Sequence, residues 1–213
     1  MKACLHGGIF STSSVVKNLK SENWGQGFLV KPQLPQVLEK VDEELAEEAR
    51  AGGCRHCSGK LHSAQYKRKP RGGLKKNEEL YRKSFCCDQD GCRKRHTPPS
   101  VRFLGRRVYW GYVVVLVSAM RYGLTPARVG ILRQSLGLDR RTLARWRVWW
   151  LETFVESPFW KIARAQFMPL LDETTLPLSL CQAFELERRD RLLELLRFLA
   201  PLTTPSIPLD RTC

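Results

Sequence analysis

Two close pairs of cysteines, Cys54-Arg-His-Cys57 and Cys87-Asp-Gln-Asp-Gly-Cys92, constrain this chain more than anything else in it. A tetrahedral zinc ion takes four thiolates, and two cysteines a few residues apart let one tight turn present both sulfurs. With Cys57 and Cys87 30 residues apart, the ion would tie two short hairpins together. The spacing predicts a small β zinc ribbon in which Cys54, Cys57, Cys87 and Cys92 hold a structural Zn2+. With every position filled by protein, such a site keeps no open position for activating water.

Cys86 competes with Cys87 for the third position, because neighbours on a strand point to opposite faces and only one can reach the metal. The separation from Cys92 favours Cys87 and leaves Cys86 to pack as a small apolar residue. His56, His62 and His96 are alternative ligands in place of a thiolate. Eight cysteines in 213 residues, with no secretory leader in view, argue against a disulfide framework.

Charge is unevenly placed. Residues 51–107 carry 16 Lys and Arg against 4 Asp and Glu, and residues 108–150 carry 7 against 1. Two adjoining basic stretches are the electrostatic footprint of a nucleic-acid binder. The most apolar run, residues 108–120, contains Tyr109, Trp110, Tyr112 and Ser118 between arginines. It is shorter than the ~20 residues a bilayer requires and reads as a buried helix of a cytoplasmic protein with no membrane partner.

Five segments follow from the patterning. Residues 1–35, rich in Gly and Ser, are expected to be a loose lead-in. In residues 36–52, Val37, Leu38, Val41 and Leu45 recur at helical spacing among six carboxylates, which predicts an acidic amphipathic helix with a solvated charged face. Residues 53–100 form the ribbon, whose loop Lys67, Arg68, Lys69, Arg71 and exit strand Arg93, Lys94, Arg95 suit phosphate contacts. Residues 101–160 read as helices. Residues 161–213 read as a linker or loop over 166–180, then an amphipathic helix over 183–199, then a loose tail. That leucine-rich helix is expected to pack on its own domain or to join a homodimer.

Within 101–160, Thr125-Pro126 starts one helix, with Val129, Ile131, Leu132 and Leu136 as its apolar residues. Gly137 makes a turn, and Asp139 caps the next helix. Helix, short glycine turn and helix is the helix-turn-helix arrangement. In its last helix Leu143, Trp146, Trp150 and Phe154 face the core, and Trp149 lies off that stripe. Arg140, Arg141 and Arg145 occupy the open side, where a recognition helix meets base edges in the major groove.

The two cysteine pairs, followed by a helix that begins Asp-Arg-Arg-Thr-Leu-Ala-Arg-Trp, resemble the DNA-binding front end of bacterial insertion-sequence transposases. The segment from Cys86 to Leu104 is similar to a group of mobile-element zinc-ribbon proteins. The resemblance covers roughly residues 36–160. It implies a mainly α protein with a small zinc ribbon and a helix-turn-helix, binding double-stranded DNA at element ends. It also implies a bacterial, nucleoid-associated location and a catalytic transposase or recombinase as partner. A complete acidic-triad transposase needs a separate catalytic domain that holds metal ions. Only about sixty residues follow the last of these helices, with no alternating strands, so no catalysis is expected. Two competing readings are an RNA-binding or ribonucleoprotein-associated zinc module and a metal-dependent nuclease or recombinase subunit using Asp172 and Glu173.

Overall fold

A computed structural model describes residues 34–68, 80–104, 109–119, 126–186 and 191–204. The lead-in over 1–33 and the tail over 205–213 lie outside the described residues, as do Lys69, Arg71 and Thr125. The fold is mainly helical, with small antiparallel sheets. No helix among the described residues is long and apolar enough to cross a membrane.

Helix α1 (Leu34–Ala51) carries the acidic pattern. Its apolar stripe divides its loyalties: Leu38 and Val41 enter the large core, while Ala46 enters a second, small core with Cys54, Leu61, Phe85 and Cys87. The helix therefore splints the cysteine-bearing sheet to the helical body. Its carboxylates are mostly solvated, as the pattern predicts, with one exception. Asp42 is buried, accepting hydrogen bonds from Ser100 Oγ (2.7 Å), the Val101 backbone N–H (2.7 Å) and Arg102 Nε (2.8 Å). Arg102, equally buried, also donates to the Tyr81 carbonyl and to Glu39. Solvent-side pairs Lys83–Glu43 and Arg197–Glu44 fasten the same helix to the sheet and to the C-terminal helix.

Four strands then build one hairpin. β1 (Leu61–Ser63) pairs antiparallel with β4 (Phe85–Cys87), and β2 (Tyr66–Arg68) pairs with β3 (Leu80–Arg82). The register runs unbroken from Leu61↔Cys87 to Arg68↔Leu80, bridged by the Ala64 N–H donating to the Ser84 carbonyl. β5 (Arg95–His96) adds to the free edge of β4. Side chains alternate between faces along this ribbon. One face carries Leu61, Phe85 and Cys87, and the other carries Tyr66, Arg68, Arg82, Cys86 and Arg95.

β6 (Phe103–Leu104) and β7 (Tyr109–Trp110) pair with each other and lead into α2 (Gly111–Ser118), which is buried along nearly its whole length. The apolar run expected as one helix from 108 thus opens as a strand, because Trp110 pairs across to Phe103 and stacks near its ring. α3 (Pro126–Leu136) starts at the expected proline. α4 (Arg140–Val148) follows the Gly137 turn and continues as a π-helical turn over Trp149–Phe154. The side chain of Ile131 is not among those described, but Leu132, Leu136 and Leu138 enter the core beside Leu143, Trp146, Trp150 and Phe154. The π turn carries Trp149, Trp150 and Phe154 as one aromatic group, with Trp149–Trp150 ring centroids 4.7 Å apart.

The last fifty residues depart from expectation. After α5 (Pro158–Ala163), residues 166–180 are a loop packed on the core rather than a linker: Asp172 caps a 3-10 turn, α6 (Leu178–Ala183) follows, and Leu176, Leu180 and Cys181 are buried. The helix expected to run over 183–199 is interrupted, with α7 (Arg191–Leu199) as its second part. Leu180, Cys181 and Leu186 are buried on one side of the break, and Leu192, Leu195, Leu196 and Leu199 on the other. The chain turns between them, with Glu185 at φ +46°. The leucines of α7 are packed into the chain's own core.

Candidate metal centre and basic helix face

The first cysteine pair sits in a turn that closes on itself. The Cys54 N–H donates to the Gly59 carbonyl (2.9 Å) and the Ser58 N–H to the Cys54 carbonyl (2.7 Å). Gly59 leaves room for the cluster, because a Cβ there would stand 2.4 Å from Gln89 Cγ, which would have to shift, and 3.1 and 3.2 Å from the sulfurs of Cys87 and Cys57. The second pair bridges the end of β4 and a turn closed by the Cys92 and Arg93 N–H groups on the Gln89 carbonyl. The Asp88 N–H donates to the Lys60 carbonyl, which locks the second turn onto the first.

The four sulfurs of Cys54, Cys57, Cys87 and Cys92 all lie within 4.8 Å of one another, and all four are free thiols. Cys57 and Cys87 are 3.4 Å apart and Cys54 and Cys92 3.7 Å. Sulfurs at metal–sulfur bonds of ~2.3 Å in a tetrahedron stand roughly 3.8 Å apart, so the group has the size of a four-thiolate metal site. Cys87, rather than Cys86, supplies the third sulfur. Cys86 points to the other face of β4, where its sulfur lies 3.3 Å from the Arg93 carbonyl oxygen and, against the expectation of a free cysteine packed as an apolar residue, is held in a disulfide. Of the three histidines weighed as alternatives, His62 pairs with Asp88. His96 stands just outside the cluster with Nε2 3.2 Å from the Cys54 sulfur, and the His56 ring lies beside it.

The electrostatics of the cluster ask for a cation. Burial pushes the Cys54 thiol up, but hydrogen bonds from the backbone N–H groups of His56 and Cys57 and from His96 outweigh it and bring the group to about 6. The Gly59 N–H favours a thiolate at Cys57, yet the neighbouring Cys87, Cys92 and Cys54 sulfurs leave Cys57 pushed up to about 12. Burial raises Cys87 as well. One thiolate forms readily and then opposes the next, and a dication removes that conflict by drawing off the remaining protons.

α4 presents a second chemistry. The Asp139 carboxylate accepts from the Thr142 N–H (2.6 Å), capping a helix that follows Gly137, whose φ of +66° a side chain would strain. Thr142, Leu143 and Trp146 bury one side. Arg140, Arg141 and Arg145 lie exposed on the other, with Arg145 steadied by a bond to Thr142 Oγ1. Arg147 joins them. It lies seven residues after Arg140, two helical turns along the same face, and that spacing could have identified it in the sequence.

The remaining basic positions divide. Lys67 is exposed on β2, while Arg68 is half-buried with its guanidinium 4.8 Å from the centre of the Tyr66 ring. Arg93 is paired with Asp90, Lys94 is half-buried, and Arg95 is exposed but donates to the Ala64 carbonyl. Asp172 and Glu173 serve the backbone and the core. Asp172 accepts from the Thr174 N–H and hydroxyl, which hold its carboxyl below the ordinary range, and Glu173 accepts from Trp160 Nε1 (2.7 Å) and Arg164.

Comparison of the chain with protein families, with characterised proteins and with solved structures finds no match.

Proposed function

We propose that this chain is a zinc-stapled DNA-binding protein of mobile-element or transcriptional type. Its cysteine module acts as a zinc ribbon, and α3, the Gly137 turn and α4 act as a helix-turn-helix. Four thiolates at tetrahedral spacing suit Zn2+, and such a site is structural because the protein fills every position. The observation that carries the DNA reading is the exposed side of α4. Arg140, Arg141, Arg145 and Arg147 line it, while Leu143, Trp146 and Trp150 anchor the opposite side in the core.

In this reading the arginine forks at the start of α4 pair with guanine edges in the major groove, and the basic ribbon supplies phosphate contacts. The protein recognises duplex DNA and leaves any strand chemistry to a partner enzyme. Selection of bound duplexes from a randomised pool, with zinc-loaded protein near physiological salt, tests it. An enriched motif is expected, and Arg141→Ala is expected to relax one position of that motif by about 1 to 3 kcal/mol. Retention of duplexes without any enriched motif refutes the recognition-helix assignment and turns attention to RNA.

A further inference from the structure

The face of the ribbon hairpin opposite the metal cluster gathers three guanidinium groups around one tyrosine. Tyr66 and Arg68 are two residues apart on β2 and so share a face. Arg82 lies directly across from Tyr66, and Arg95 directly across from Cys86 in the neighbouring strand, which places both on that face too. Arg68 stands 4.8 Å from the Tyr66 ring centre, donates to its hydroxyl (3.3 Å), and Arg95 approaches the same ring at 6.0 Å.

Among the described residues the cluster is short of negative charge. Arg82 is 5 % exposed, donates through Nη2 to the Pro98 carbonyl (2.6 Å), and has no hydrogen-bond partner for its buried Nη1. Burial weakens its hold on a proton, and although Asp42 opposes this, Arg102 and Arg68 repel it. Asp42 is itself engaged by Arg102, Ser100 and Val101. Among the described residues, neither Arg68 nor Arg95 meets a carboxylate within ion-pair distance. Like charges held together without a counter-charge cost energy that a bound anion returns, and planar guanidinium forks fit tetrahedral oxyanions.

We infer that Tyr66, Arg68 and Arg95, with Arg82 supplying charge from beneath, form a binding site for a phosphate group. The two outer forks make the contacts and the tyrosine ring fixes their planes. The occupant is a phosphodiester of bound DNA or a free phosphate. In the first case the site rests on the DNA-binding reading, and in the second it stands without it.

Inorganic phosphate titrated calorimetrically into the zinc-loaded full chain, with chloride held constant, tests the site directly. Saturable binding is expected, weakened about tenfold or more by Arg68→Ala and by Arg95→Ala, since each removes charge-assisted hydrogen bonds. Arg68→Lys and Arg95→Lys should recover part of the loss, and zinc content with circular dichroism identifies the variants that remain folded. Binding that survives the double alanine variant, or no saturable binding at all, overturns the site. Duplex DNA separates the two occupants. A fall of about 0.9 in the slope of log affinity against log salt in either alanine variant assigns a backbone phosphodiester. An unchanged slope, or no duplex binding by the parent, alongside lost phosphate binding assigns free phosphate.

Discussion

Replacing Asp42 by alanine is expected to destabilise the protein more than any other single change on its acidic helix. Both members of the Asp42–Arg102 pair are 1 % exposed, so the substitution leaves a guanidinium buried without its nearest counter-charge. Breaking a buried pair from one side costs about 3 to 5 kcal/mol. The Ser100 hydroxyl and Val101 N–H lose their acceptor as well, each costing about 1 to 3 kcal/mol if nothing replaces it. Arg102 keeps the Tyr81 carbonyl at 2.8 Å and Glu39 at 3.2 Å, so these losses overlap and the total stays near about 5 kcal/mol. That is a large share of the roughly 5 to 15 kcal/mol that holds a domain folded, and it corresponds to a fall in Tm of about 10 to 20 °C. Urea titration followed by circular dichroism measures it, with the midpoint moving and the slope constant. Arg102→Met in the Asp42→Ala background should recover much of the loss, because an apolar side chain leaves no buried charge behind. A loss below about 1 kcal/mol, or a double variant no better than the single one, refutes this account.

Gly59→Ala is expected to lower metal affinity by at least about tenfold, because the added methyl meets Gln89 at 2.4 Å and crowds two ligand sulfurs. Competition with a chromogenic chelator measures it. The Asp139 cap predicts a pH dependence. Bonds from Thr142 hold its carboxyl below the ordinary value, so its contribution is present above about pH 4 and is lost as pH falls through the depressed value. Asp139→Asn, which still caps, should flatten the acid limb of a plot of Tm against pH, and an unchanged limb would show that the cap does not titrate with folding.

What could be read in the sequence was what depends on near neighbours. The cysteine pairs, the Gly137 turn, the Asp139 cap and the buried stripe from Leu143 to Phe154 each follow from spacing over a few residues. Asp42 was hidden because it looks like any other carboxylate of an acidic helix, and its partner Arg102 stands 60 residues away. The arginine face of the hairpin was equally obscure, since Tyr66-Lys-Arg reads as loop until Leu80-Tyr-Arg is seen paired with it. In the last fifty residues prolines and a polar turn suggested a linker or loop, without showing which. Leu176 and Leu180 reach the core there only because two short helical elements fold back over it.

The unbroken register of the hairpin also bears on how this chain avoids misreading itself. Cys86 and Cys87 put a sulfur on either side of one strand, so until Cys86 enters its disulfide a slip by one residue would still deliver a sulfur to the metal. The ion alone cannot proofread the alignment. Arg82 can, because the same slip would swing its guanidinium away from the Pro98 carbonyl and toward the side where Leu61 and Phe85 pack. Strand alignment is thus checked at the end of the hairpin remote from the metal, by a charge that has only one acceptable place to go.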